Sequence, residues 1–144
     1  MDLDLAGKNA IVTGSSQGLG FAVAEELAIE GANVLICGRT AETLKTAKAR
    51  LEKHGTKIVA VTADINTPDG IDHVLTMADA ALGAVDILCM STGGPKSGFF
   101  SDLEAEDFTA SANDLIESLV RLIKGVLPGM TAAGWGRIMA VTSI

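Results

Sequence analysis

Gly14, Gly18 and Gly20 follow the apolar run Ala10–Val12 with the spacing Gly-x3-Gly-x-Gly, and Thr13 stands just ahead of them. Glycine leaves the backbone bare, and the residues after Gly20 read as a helix. Backbone N–H groups and the positive end of a helix dipole can therefore meet a phosphate at this turn. The three glycines have different expected roles. Gly14 makes the sharp exit from the strand, Gly18 lets the backbone approach a pyrophosphate, and Gly20 lets the helix pack closely on the sheet. Ser15, Ser16 and Gln17 add side-chain donors, and Leu19 completes the run. An ordinary strand-to-helix turn also favours glycine. The strand before, the helix after and a second strand beyond select the phosphate reading.

Arg39 and Thr40 lie just past a second apolar run, Asn33–Cys37. They stand about 20 residues beyond the turn, where such folds read the 2′ position of a ribose. A carboxylate there would bond a free hydroxyl, whereas a guanidinium fork suits a phosphate. NADP(H) is therefore expected in preference to NAD(H), with NAD(H) still open. The alternative is a solvated arginine at a helix start. Asp64, followed by Ile65, stands at the end of a third run, and two roles remain open for it. It can accept a hydrogen bond from an adenine amino group, or serve as a helix cap or loop carboxylate. Ser91, Thr92 and Gly93 open a glycine-bearing stretch after the fourth run. No metal site is expected, because Cys37 and Cys89 sit inside apolar runs and read as buried free thiols. His54 and His73 read as solvated, and Met77, Met90, Met130 and Met139 as core filling.

These residues need a scaffold, and the hydrophobic pattern supplies one. Strands are expected at Ala10–Val12, Asn33–Cys37, Lys57–Ala63, Val85–Met90 and from Arg137 to Thr142. Helices are expected at Gly20–Glu30, from about Thr40 to Lys53, from Thr67-Pro68-Asp69 to Gly83, and as one long helix from about Glu104 to Val126. Thr40 reads as the cap of the second helix. Leu115, Leu119 and Leu122 read as the buried side of the last, and Pro128 and Gly129 as loosening its end. Short apolar strands alternating with helices predict an α/β fold, a Rossmann-like doubly wound parallel sheet of order 3-2-1-4-5. Ligands of such sheets bind beyond the carboxyl ends of the strands, where the order reverses. Gly14–Gly20 and Ser91–Gly94 both fall there.

Composition narrows the classes further. Of the 144 residues, 48% are hydrophobic and 20% charged, which argues against disorder. The net charge of −7 argues against nucleic acid or an anionic membrane as partner. No apolar run approaches the roughly 18 residues that span a bilayer. A soluble, cytoplasmic domain is expected.

Thr13-Gly14-x3-Gly18-x-Gly20, Gly31-Ala32, Gly38-Arg39, Ala63-Asp64-Ile65, Asp86-Ile87-Leu88 and Gly136-Arg137-Ile138 together resemble the short-chain dehydrogenase/reductase family. Within it the chain looks most like bacterial 3-oxoacyl-(acyl-carrier-protein) reductase-like members, or like relatives that carry Gly-Gly-Pro after strand four, here Gly93-Gly94-Pro95. The resemblance implies hydride transfer between a nicotinamide and a small carbonyl or alcohol substrate, which could be an acyl-carrier thioester. It also implies a homodimer or homotetramer. Family members use a tyrosine as acid or base, a lysine that lowers its pKa, a serine that orients the substrate oxygen, and a relay asparagine. Ser143 matches the serine. The chain contains no tyrosine, and the positions of the tyrosine and lysine would lie beyond Ile144. The relay asparagine aligns with Leu115, while Asn113 lies on a different face. Met90-Ser91-Thr92-Gly93 stands where the family has Asn-Asn-Ala-Gly. The resemblance therefore implies the NAD(P)-binding part of a reductase, truncated after strand five and inactive as it stands. The alternative is a non-catalytic module that binds nucleotide or a protein partner.

Overall fold

Parallel strands with both faces covered must be apolar on both sides, and the central strands here are. The computed structural model describes residues 3–142. Its strands are β1 (Asn9–Val12), β2 (Asn33–Gly38), β3 (Ile58–Thr62), β4 (Ile87–Met90) and β5 (Arg137–Ala140). All neighbouring pairs are parallel, in the order β3-β2-β1-β4-β5. This is the order expected from the sequence. Alternate residues of β1 to β4 feed two cores. Ala10, Val12, Val34 and Ile36 pack on one side under α1 (Gly18–Ile29) and α2 (Ala41–Leu51). Ile11, Leu35, Leu88 and Met90 pack on the other, under α3 (Pro68–Leu82) and α5 (Ser118–Ala133).

Polar pairs fix the register at the amino ends of the strands. The Asn9 side chain donates to the Leu82 and Ala84 carbonyls at 2.8 and 3.0 Å, and its oxygen accepts from Asn33 Nδ2 at 3.0 Å. Asp86 Oδ2 accepts from the Asn9 N–H at 2.9 Å. A slip of one residue would break all of these bonds together.

Helix starts follow the sequence unevenly. Thr67 caps α3 as its position before Pro68 suggests, accepting from the Gly70 N–H at 3.1 Å. Replacing Thr67 with alanine is expected to lower stability by about 1 kcal/mol. A urea midpoint unchanged from the parent would refute that. Thr40 also occupies a cap position, but its side chain makes no bond to α2. Its carbonyl instead accepts from Thr43 Oγ1 at 3.0 Å.

The expected single helix from Glu104 to Val126 is three pieces: α4 (Ala105–Ala112), a π turn at Asn113–Glu117, and α5. The wider turn shifts the helix face, so Leu115 is only half-buried while Leu122 is fully buried. Pro128 and Gly129 do not end the helix, which runs on to Ala133 and closes on Gly134 with φ of 65°. The backbone bond that Pro128 cannot make would go to the Lys124 carbonyl, and both residues are exposed, so water can serve instead. Met139 is not core filling either. It is 45% exposed, and β5 is exposed along its whole length. Among the described residues, no helix is long and apolar enough to cross a membrane.

Candidate functional site

The exits of β1 and β4 are clamped together at the point where the strand order reverses. Thr13 is buried; its hydroxyl donates to the Ser91 carbonyl at 3.0 Å and accepts from the Ser91 N–H at 2.9 Å. Gly14 then turns with φ of 57°, so close to β4 that a Cβ there would stand 2.4 Å from the Ser91 oxygen. Gly20 lies equally tight on the turn, since its Cβ would meet the Gly14 oxygen at 2.4 Å. The helix therefore starts directly against the strand end.

At that start α1 has no internal anion. Its cap residue Gln17 makes no side-chain bond to the first turn, and no acidic residue lies in that turn. The N–H groups there are left for an external acceptor. In front of them opens a crevice of about 530 Å³. It is lined by Gly14, Ser16, Gln17 and Gly18 from the first turn, and by Gly38 and Arg39 after β2. Ala63–Asn66 after β3 and Ser91–Gly94 after β4 complete it, with Asp114.

Ten of the residues singled out in the sequence thus converge on one site: Gly14, Ser16, Gln17, Gly18, Arg39, Asp64, Ile65, Ser91, Thr92 and Gly93. Four do not line it. Ser15 is buried behind the turn, where its hydroxyl donates to the Val12 carbonyl at 2.5 Å and accepts from the Cys37 N–H at 3.1 Å. Its own N–H goes to the Cys37 carbonyl at 3.2 Å, so Ser15 ties β1 to β2 and offers the crevice no donor. Gly20 supports the turn from behind, Leu19 is 68% exposed, and Thr40 lies beyond the rim. Ser143 lies outside the described residues.

The charges of the crevice are few and placed apart. Arg39 is the only cation among the described residues lining it, and it has no ion-pair partner among them. Asp64 holds the turn after β3: its Oδ1 accepts from the Asn66 N–H at 3.0 Å, and its carbonyl accepts from the Thr67 hydroxyl at 2.9 Å. The other carboxylate oxygen, Oδ2, makes none of these bonds. Cys37 stands at the crevice floor, but burial pushes its thiol up to about 12, and burial also raises Cys89. Neither is a thiolate nucleophile at neutral pH. The glycine-bearing loop after β4 is held from outside. Lys96 pairs with Asp107 at 2.9 Å, and the Asp107 carboxylate also accepts from the Glu104 N–H at the start of α4. The Lys96 bond, and then the backbone bond, hold the Asp107 carboxyl below its usual range.

Asp114 and Asn66 are the lining residues with functional side chains that sequence reasoning missed. A π turn decides which residue after α4 faces inward, and no residue type announces it. Among the described residues, no group of His, Cys, Asp and Glu is placed to hold a metal.

A family profile described as short chain dehydrogenase matches residues 8–144. The 3-oxoacyl-(acyl-carrier-protein) reductase FabG of Vibrio cholerae is 33% identical over 142 residues, covering 99% of this chain and 57% of that protein. L-sorbose reductase from Gluconobacter frateurii, solved with NADPH and L-sorbose, matches with a TM-score of 0.95 at 35% identity. That match covers 100% of this chain and 55% of that one. A 7α-hydroxysteroid dehydrogenase solved with NADH matches at 0.91 and 30% identity, over 96% of this chain and 54% of that one. The chain therefore spans little more than half the length of these proteins.

Proposed function

The chain belongs to the short-chain dehydrogenase family, and on that premise we propose that it is the dinucleotide-binding part of an NADP(H)-preferring oxidoreductase. The carrying observation is the convergence on one crevice of an anion-free helix start, a glycine turn and an arginine with no ion-pair partner among the described residues. This donor set fits a dinucleotide phosphate. The first turn of α1 with Ser16, Gln17 and Gly18 would hold the pyrophosphate, and Arg39 the 2′-phosphate. Asp64 and Ile65 would flank the adenine, while Ser91, Thr92 and Gly93 would line the nicotinamide half. When bound, the nicotinamide supplies or takes up hydride. The protein's part is to orient it against a carbonyl or alcohol carbon, with Ser143 orienting the substrate oxygen. The similarity to FabG supports an acyl-carrier thioester among the substrates. Exposed Ile116, Val120 and Leu127 support assembly as a homodimer or homotetramer.

The 144 residues contain no tyrosine. A chain restricted to them is expected to bind NADPH and to show no turnover. Calorimetric titration of the protein with NADPH and NADH, followed by NADPH oxidation with a carbonyl panel, tests both halves. Binding of neither nucleotide would overturn the dinucleotide reading, and oxidation by the 144-residue chain would overturn its inactivity.

A further inference from the structure

Asp114 is a carboxylate inside a crevice proposed to take an anion, and its position gives it a use. It stands on the π turn Asn113–Glu117 and is half-buried. One amide fixes it to the far wall. Asn113 Nδ2 donates to the Asn66 carbonyl at 3.3 Å and to Asp114 Oδ1 at 3.1 Å. Asn66 belongs to the turn after β3 that also carries Asp64, so the two carboxylates are tethered to one short segment. Each uses its Oδ1 in holding that segment. In each, Oδ2 is the oxygen left for a ligand.

The base of the nucleotide belongs at this end. Arg39 marks the adenosine ribose, and the exits of β2 and β3 lie side by side, with the Ala63 N–H donating to the Gly38 carbonyl at 3.0 Å. A base joined to that ribose meets the turn after β3. Adenine presents there an exocyclic amine with two N–H donors, and hypoxanthine presents a carbonyl in its place. Two acceptors, one from each wall, match the amine and repel the carbonyl.

We propose that Asp114 is a base-selectivity residue: with Asp64 it accepts from the adenine amine and so discriminates adenine from 6-oxo bases. This rests on the dinucleotide reading above.

The test is calorimetric binding of NADPH and of its deamino analogue, reduced nicotinamide hypoxanthine dinucleotide phosphate. It compares the parent protein with Asp114→Val and Asp114→Asn. Removing a negative charge from a phosphate-binding crevice raises affinity for both ligands by a common factor, which cancels in their ratio. Asparagine also removes the charge, but Asn113 Nδ2 claims its one acceptor oxygen, so its NH2 faces the ligand, where it repels an amine and suits a 6-oxo carbonyl. Asp114→Val is expected to lower the preference for the adenine form by about tenfold, and Asp114→Asn to lower it at least as far. A preference unchanged in Asp114→Val would overturn the proposal, and so would a preference kept in Asp114→Asn. Failure of the parent protein to bind NADPH would instead defeat the dinucleotide reading on which it depends.

Discussion

Replacing Arg39 with alanine is expected to weaken NADPH binding by roughly 10- to 100-fold and to leave NADH binding within about twofold. The magnitude follows from what the guanidinium can do and from what else is present. A hydrogen bond to a charged group contributes about 1.5–3 kcal/mol, and about 1.4 kcal/mol is tenfold in affinity. Arg39 is exposed, which draws the estimate toward the lower end through solvent screening. Against that, it has no carboxylate partner among the described residues, so no ion pair must be broken before it turns to a ligand. The other charged lining residues are Asp64 and Asp114, which offer a phosphate nothing. The 2′-phosphate is the group that distinguishes the two cofactors, so the loss falls on one of them. Calorimetry at two salt concentrations checks it. Loss of both cofactors to the same degree would mean that Arg39 serves the fold or the pyrophosphate and does not read the 2′ position.

The same residue shows how far a sequence reaches toward a site. Arg39 was legible because its place is fixed by counting from a glycine turn to the end of the next apolar run, and parallel strands make that count geometric. Gly14, Gly18, Asp64 and Ser91 were legible for the same reason: each follows a strand end, and strand ends are marked by apolar runs that stop. What hides is whatever depends on rotation about the chain. Ser15 has the composition of a phosphate donor, yet the Cys37 N–H at the end of β2 needs an acceptor, and the serine turns inward to provide one. Asp114 faces the crevice because a π turn precedes α5, and Leu115 loses its buried place for the same reason. Met139 reads as core because β5 is apolar, but burial is set by what covers a strand and not by the strand.

Gly14→Ala is expected to lower stability by about 3 kcal/mol and to abolish measurable NADPH binding, whereas Gly18→Ala is expected to lower stability by about 1 kcal/mol. Both glycines have positive φ, 57° and 62°, so both substitutions incur a similar backbone strain. They differ in their surroundings. A Cβ at Gly18 meets nothing within 4 Å, while a Cβ at Gly14 would stand 2.4 Å from the Ser91 carbonyl oxygen. That oxygen accepts from Thr13, whose hydroxyl accepts in turn from the Ser91 N–H. Moving Ser91 aside therefore strains or breaks two partly buried hydrogen bonds, each contributing about 1 kcal/mol. It also opens the strand exits on which the crevice is built. Urea unfolding of the two variants isolates the close contact, because the shared strain cancels in the difference. Equal midpoints would show that the β4 exit gives way freely. The glycine would then be required only for its backbone angle, and the Thr13–Ser91 clamp would not set the geometry of the site.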